Sequence, residues 1–203
     1  MEQVTEDRDL AGVDWSGQEI TGRRFVRCSL RDADLSETVI TGTIFEECDL
    51  TGAALNVATI SHCALLRCRL HGTNLFGATL DGCKLTGSEL VRCAVGGLTV
   101  RGGDWSYTSL RGAALARLDL SGVRLVEADL TGADLTDAVL RGADLSRAAL
   151  AGATLRGADL RDAELGGAET VGLDLTDVRI GVDQAVALAL ARGARVEPLE
   201  ATG

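Results

Sequence analysis

Six cysteines (Cys28, Cys48, Cys63, Cys68, Cys83, Cys93), two histidines (His62, His71) and 30 acidic residues are the side chains of this sequence best suited to bind metal, form disulfides or move protons. Each of those chemistries sets a spacing. Structural zinc sites need Cys or His pairs a few residues apart, and no CxxC occurs. The cysteines instead recur at intervals of twenty, as in Cys28, Cys48 and Cys68 or Cys63 and Cys83. A catalytic carboxylate needs a cleft that perturbs it, and the glycines recur too regularly to form a phosphate-binding loop. No catalytic, metal or cofactor site is expected, and the chain does not read as an enzyme.

What positions these residues is a repeat of five. From Leu10 to Ile180 every fifth residue is apolar, with Thr170 the single exception and no insertion or deletion. Two residues before each centre stands a small residue, such as Ala33, Ala53 or Ala128, and every cysteine falls there. Two residues after it, Gly occurs 19 times. A period of five cannot be one face of a helix, nor one face of a long strand, because an odd period alternates sides. A short extended segment does turn both the small residue and the centre inward. The glycine then supplies the positive φ of a type II-like turn. The cysteines therefore read as small buried thiols, and the histidines as outer residues on different sides.

Echoes at twenty residues, including Phe25 with Phe45 and Leu98 with Leu118, give a coil of four sides. The array then makes about eight and a half coils, roughly 40 Å long at about 4.8 Å per coil. The expected organisation is an N-terminal tail over 1–9, a β-helix over 10–181, and a capping or dimerisation helix with its tail over 182–203. The glycines at 96, 97, 102 and 103 mark the weakest part of the pattern, where a kink or bulge is expected. A second weak place lies at Gly166, Gly167 and Thr170.

The net charge of −10 argues against direct nucleic-acid binding, which needs clustered Lys and Arg. No apolar run is long enough to span a bilayer, so no membrane partner is expected. With one lysine against nineteen arginines, and abundant Ala and Gly, the composition is that of a GC-rich bacterial protein, expected in the cytoplasm.

Outer charges are uneven. The side that carries Trp15, Leu35 and Leu55 holds Asp14, Asp34, Glu37, Asp134, Asp137, Asp174 and Asp177 against Arg117 and Arg156, whereas the side of Phe25 and Phe45 is neutral. The acidic side is the candidate partner-binding stripe. In the tail, Asp183 fits an N-cap and Gly193 a C′ residue. Val182, Ala185, Val186, Leu188, Ala189 and Leu190 make the helix between them apolar nearly all round. One part can cap the array, and the rest is a candidate dimer interface.

The run ADLTG-ADLTD-AVLRG-ADLSR-AALAG-ATLRG-ADLRD resembles the pentapeptide-repeat family over roughly 85% of the chain. The GVDQAVALALARG tail is similar to that of its mycobacterial fluoroquinolone-resistance branch, the MfpA-type proteins, and more distantly to the Qnr branch. The resemblance implies an all-β right-handed quadrilateral β-helix with a short C-terminal helix. It also implies a homodimer that mimics DNA, binds DNA gyrase and confers fluoroquinolone resistance. Because 40 Å of duplex carries roughly 23 phosphates, mimicry by this chain would be of shape and selected positions. The second reading is a general interaction scaffold without a topoisomerase partner, since one fold supports many roles.

Overall fold

A computed structural model describes residues 3–170 and 172–197. The chain is a parallel β-solenoid in which paired residues stand twenty positions apart. Nine short strands form its first half: β1 (Gln3–Glu6), β2 (Glu19–Thr21), β3 (Arg23–Val26), β4 (Val39–Thr41), β5 (Ile44–Glu46), β6 (Thr59–Ser61), β7 (Ala64–Leu66), β8 (Thr79–Asp81) and β9 (Thr99–Arg101). They make two sheets, ordered β1-β3-β5-β7 and β2-β4-β6-β8-β9. Elsewhere the ladder consists of single parallel bridges, from Asp9 with Ser29 to Asp159 with Arg179. One helix, α1 (Val182–Ala191), follows the array among the described residues.

The array begins earlier than the apolar pattern. Residues 1–9 read as a tail because Thr5 stands where an apolar centre is due. Instead β1 pairs with β3 in register, Gln3 against Arg23 through Glu6 against Val26. Backbone pairing carries the coil where the side-chain pattern stops.

Inside, Leu30, Leu35, Leu120 and Leu140 are wholly buried, with Ala33, Ala128 and Ala143 between them. Trp15, Phe25 and Phe45 form an aromatic column, the two Phe rings stacked at 5.1 Å and the Trp tilted against Phe25 at 5.6 Å.

Corners come in two kinds. At most of them the residue three after a centre donates back to it, as Val13 N–H does to the Leu10 carbonyl at 3.2 Å. On the two strand-bearing sides that turn bond is missing, because the centre is extended. The freed amide is buried and needs another acceptor. The small inward residue of the next coil supplies it. Arg23 N–H donates to Thr43 Oγ1 and Thr43 N–H to Cys63 Sγ, both at 3.4 Å, and Cys68 N–H to Ser88 Oγ at 2.8 Å. The amides of Cys28, Cys48 and Cys63 likewise reach the sulfurs of Cys48, Cys68 and Cys83. The residue type thus follows the corner: Cys, Thr or Ser over strand sides, mainly Ala over turn sides. Strands end at β9, just before these columns turn to Val123, Ala128 and Ala143.

Every residue two after a centre, from Asp7 to Asp177, has positive φ, but glycine is not the cause everywhere. Sixteen non-glycine residues, from Asp7 to Asp177, hold φ between 50° and 62° there, a conformation costing an L-residue roughly 1–2 kcal/mol. The ladders on both sides impose it. Gly103 is different: it sits in an inward position with φ 111°, and an added Cβ would collide with the Cys83 carbonyl.

The ladder opens where the glycines announced it. No bridge joins Ala94 to Ala114 or Thr99 to Asp119, although Glu89–Ser109 and Asp104–Arg124 on the neighbouring sides are intact. The cause is volume. Leu98 and Leu118, both buried, occupy stacked inward positions where other coils carry Ala, and they wedge two sides of the coil apart. Near Thr170, no bridge joins Thr154 to Asp174 among the described residues.

Candidate partner-binding face

Aspartate before a centre has a local task. Asp14 Oδ1 accepts the Ser16 backbone amide at 3.0 Å and the Ser16 hydroxyl at 2.7 Å. Asp34, Asp104 and Asp119 repeat both bonds, and Asp174 does so with Thr176. The corner amide that the coil leaves free is thereby capped. The hydroxyl bond first, and the amide bond second, hold the Asp14, Asp134 and Asp174 carboxyls below the usual carboxylate range. These aspartates are anionic and fixed in direction.

The seven acids do share a side. Asp14, Asp34, Ala54, Asn74 and Ala94 form one column of parallel bridges, and Ala114, Asp134 and Thr154 continue it beyond the opening. They do not form one stripe. Asp14, Asp34 and Glu37 lie at the N-terminal end, and Asp134, Asp137, Asp174 and Asp177 toward the helix. Between Asp34 and Asp134 are five coils, about 24 Å. That interval carries no acid on this side, and Phe76 and Val57 are 59% and 55% exposed there.

Ion pairing separates this side from its neighbour. On the side of Phe25 and Phe45, charges alternate from coil to coil and pair: Arg27 with Asp7 at 2.8 Å, Arg67 with Glu47 at 3.0 Å, Arg147 with Glu127 at 2.6 Å. Glu46 bridges Arg24 and Arg67, each at 2.6 Å. On the acidic side, Asp14, Asp34, Glu37, Asp134 and Asp174 make no ion pair among the described residues. Asp137 and Asp177 reach only Arg117 and Arg156, each at 3.9 Å. One side satisfies its own charges; the other presents them outward.

The helix divides the six candidate interface residues. Leu188 is buried within this chain, so it is not available to the dimer interface in which the sequence placed it. Val182 is 79% and Leu190 55% exposed, Ala185 is exposed, and Val186 and Ala189 are half-buried. Gly181, not Asp183, precedes the helix, because Gln184 Oε1 accepts the Gly181 N–H at 2.9 Å. Gln184 Nε2 also donates to the Ala163 carbonyl at 3.1 Å, and Arg192 to that of Leu173 at 3.3 Å, which ties the helix to the last coils. No helix among the described residues is long and apolar enough to cross a membrane.

All six cysteines are free; five are buried and Cys93 is half-buried. Burial pushes the Cys83 and Cys93 thiols up to about 11. The histidines are apart: His71 Nε2 lies 2.6 Å from Glu89, and His62 packs toward Gly82.

The family model for pentapeptide repeats matches in eight copies over residues 28–56, 55–90, 100–132 and 140–179. The stretch it omits between 90 and 100 is one lip of the opening. No curated protein matches the chain. Solved structures of two trypsin-treated variants of QnrB1, described as a plasmid-mediated fluoroquinolone resistance protein, are 23% and 22% identical. Each comparison covers 97% of this chain and 98% of theirs, with TM-scores of 0.84 and 0.85. Full-length QnrB1 is 21% identical over 94% of this chain and 99% of its own, with a TM-score of 0.56. At this identity the likeness is one of fold.

Proposed function

This chain belongs to the pentapeptide-repeat family, and from that premise we propose a non-enzymatic protein that binds DNA gyrase in place of duplex and alters fluoroquinolone action. The observation that carries this reading is the contrast between the two sides. Charges that pair across coils are spent within the protein, whereas the acids at either end of the Trp15–Leu175 side are held rigidly and left without close cations. Two anionic patches about 24 Å apart suit a partner that grips a rod at separated basic sites, as a duplex-binding saddle does. The description of QnrB1 as a fluoroquinolone resistance protein supports the link to fluoroquinolone action. The tail run V-D-Q-A-V-A supports a homodimer through Val182, Ala185 and Leu190, which would bring two copies of the Asp134–Asp177 patch toward the centre of a doubled rod.

The test is a supercoiling assay with purified DNA gyrase, with and without a quinolone, on the natural chain and on a variant with Asp134, Asp137, Asp174 and Asp177 all changed to Asn. Asn keeps the corner cap, since Asn74 Oδ1 accepts the Phe76 amide at 3.1 Å. Folding should therefore persist while gyrase binding falls at least tenfold, about 1.4 kcal/mol. The control neutralises Glu46, Glu47, Asp104 and Glu127 on the paired side. An equal loss in the control would mean that net charge, not the face, is read.

A further inference from the structure

We propose that the opening between the Ala94–Leu98 and Ala114–Leu118 segments receives an extended segment of a partner protein, added as a β-strand and bearing carboxylates. In closed coils the ladder spends every amide of this column: Leu75 N–H donates to the Ala94 carbonyl and Gly77 N–H to that of Gly96, both at 2.8 Å. One coil further on, the equivalent amides of Val95 and Gly97 have no acceptor, and neither has that of Ala114 on the opposite lip. The carbonyls of Ala114 and Ala116 correspondingly gain no ladder donor. Two facing rows of unpaired backbone groups are what an added strand recognises.

The lips suit close approach. Ala94, Gly96, Gly97, Ala114 and Ala116 bear nothing longer than a methyl group, and the space they border is about 510 Å³. The Phe76 ring lies along Gly96, 3.1 Å from where a Cβ would stand, and adds an exposed apolar surface beside that lip. Behind the lips, Cys93, Val95, Leu98 and Ala114 also line a narrow crevice that ends on Trp105. Its indole N–H is buried and has no acceptor, although the residue is only 1% exposed. A buried donor without a partner is costly, and its residue borders the crevice behind the lips.

Charge selects the occupant. In a chain of net charge −10, the segment 91–121 holds Arg92, Arg101, Arg111 and Arg117 against Asp104 and Asp119. Arg111 is engaged with Asp129 at 2.9 Å, but Arg117, which lines the cleft, has its nearest carboxylate at 3.9 Å, and its side chain is 85% exposed. An extended segment that alternates apolar and acidic residues would place apolar side chains toward Leu98 and Leu118 and carboxylates toward Arg117. A second copy of this chain, lacking such a free segment among its described residues, fits less well.

The experiment uses the full chain with Trp15→Phe, so that Trp105 is the sole tryptophan, and an acetylated octapeptide of alternating Val and Glu as the probe. Binding should shift Trp105 fluorescence and slow amide exchange at Val95, Gly97 and Ala114. Methylating alternate peptide nitrogens, or replacing Glu by Lys, should each weaken binding at least tenfold. Arg117→Glu should invert the preference between the Glu and Lys peptides. Absence of any fluorescence or exchange change at millimolar peptide overturns the proposal. So does equal binding of the N-methylated peptide, or protection of the three amides on concentrating the protein alone, which would assign the opening to a second copy. None of the patch acids is changed in the peptide arms with the Trp15→Phe chain, so gyrase binding can stand or fall separately there.

Discussion

Changing Ser88 to Ala isolates the rule that links inward residue type to corner geometry. Ser88 is wholly buried; its hydroxyl accepts the Cys68 amide at 2.8 Å and donates to the Leu65 carbonyl at 2.7 Å. The corner at Leu65 has no turn bond, so the Cys68 amide has no other acceptor. Alanine strands that amide in the interior, and a buried unsatisfied donor costs about 1–3 kcal/mol. The lost volume is a single oxygen, so the cavity contribution is small. The comparison is Thr73→Val. Thr73 Oγ1 donates to the Leu50 carbonyl at 2.9 Å, but that carbonyl keeps the Ala53 amide at 3.0 Å, and no amide depends on the hydroxyl. This variant should lose less than about 1 kcal/mol. Urea denaturation followed by far-UV circular dichroism reads both, and Ser88→Cys should recover part of the loss because sulfur already fills this role in the coils below. Equal costs for Ser88→Ala and Thr73→Val, or a Ser88→Cys variant no better than alanine, would refute the reasoning.

Gly103→Ala should destabilise by more than about 2 kcal/mol, from a disfavoured φ plus a collision with backbone, while Gly12→Ala, which meets nothing within 4 Å, should cost about 1 kcal/mol; urea midpoints decide. Native thiols should react slowly with iodoacetamide at neutral pH. Because the Cys83 and Cys93 thiols ionise near 11 when folded against an ordinary 9.0, the folded state favours the protonated form. Their contribution is therefore complete below pH 9 and is lost as pH rises toward 11, measurable as a falling melting temperature. Finally, Val182→Asp with Leu190→Asp should give a monomer by sedimentation with the β spectrum intact, whereas Leu188→Asp, which buries a charge, should unseat the helix itself. A natural chain already monomeric at micromolar concentration would end the dimer proposal.

The sequence carried the coil because one inward centre in five leaves little ambiguity about register. Thr5 hid the first coil, since an apolar template cannot see pairing made by backbone alone. The division into strand and turn sides was written in Cys28, Cys48, Cys63 and Cys68 against Ala33, Ala53 and Ala58, but reading it requires knowing which amides lose their turn bond. The opening was legible as glycines, yet its cause lay in two leucines that are unremarkable singly and decisive when stacked. For the acidic side, counting charges picked out one column of the solenoid. It could not show that the middle coils interrupt it, nor that the neighbouring side cancels itself pair by pair. Leu188 was indistinguishable from Leu190 because a helix apolar all round does not say which stripe meets the array.

A solenoid whose every coil accepts the next has two ends that fit each other, and nothing in the repeat itself limits the number of molecules that could join head to tail. Here the two ends are not alike. Strand β1 is the first strand of its sheet among the described residues, with Glu6 and Asp7 beside it engaged with Arg27. The opposite end is occupied by α1, pinned through Gln184, Leu188 and Arg192. Blocking one complementary end is sufficient to forbid an open filament while still allowing a closed pair. Removing residues 182–203 should therefore lay the last coil bare and let rods add to one another along their axis, seen as growing species in sedimentation.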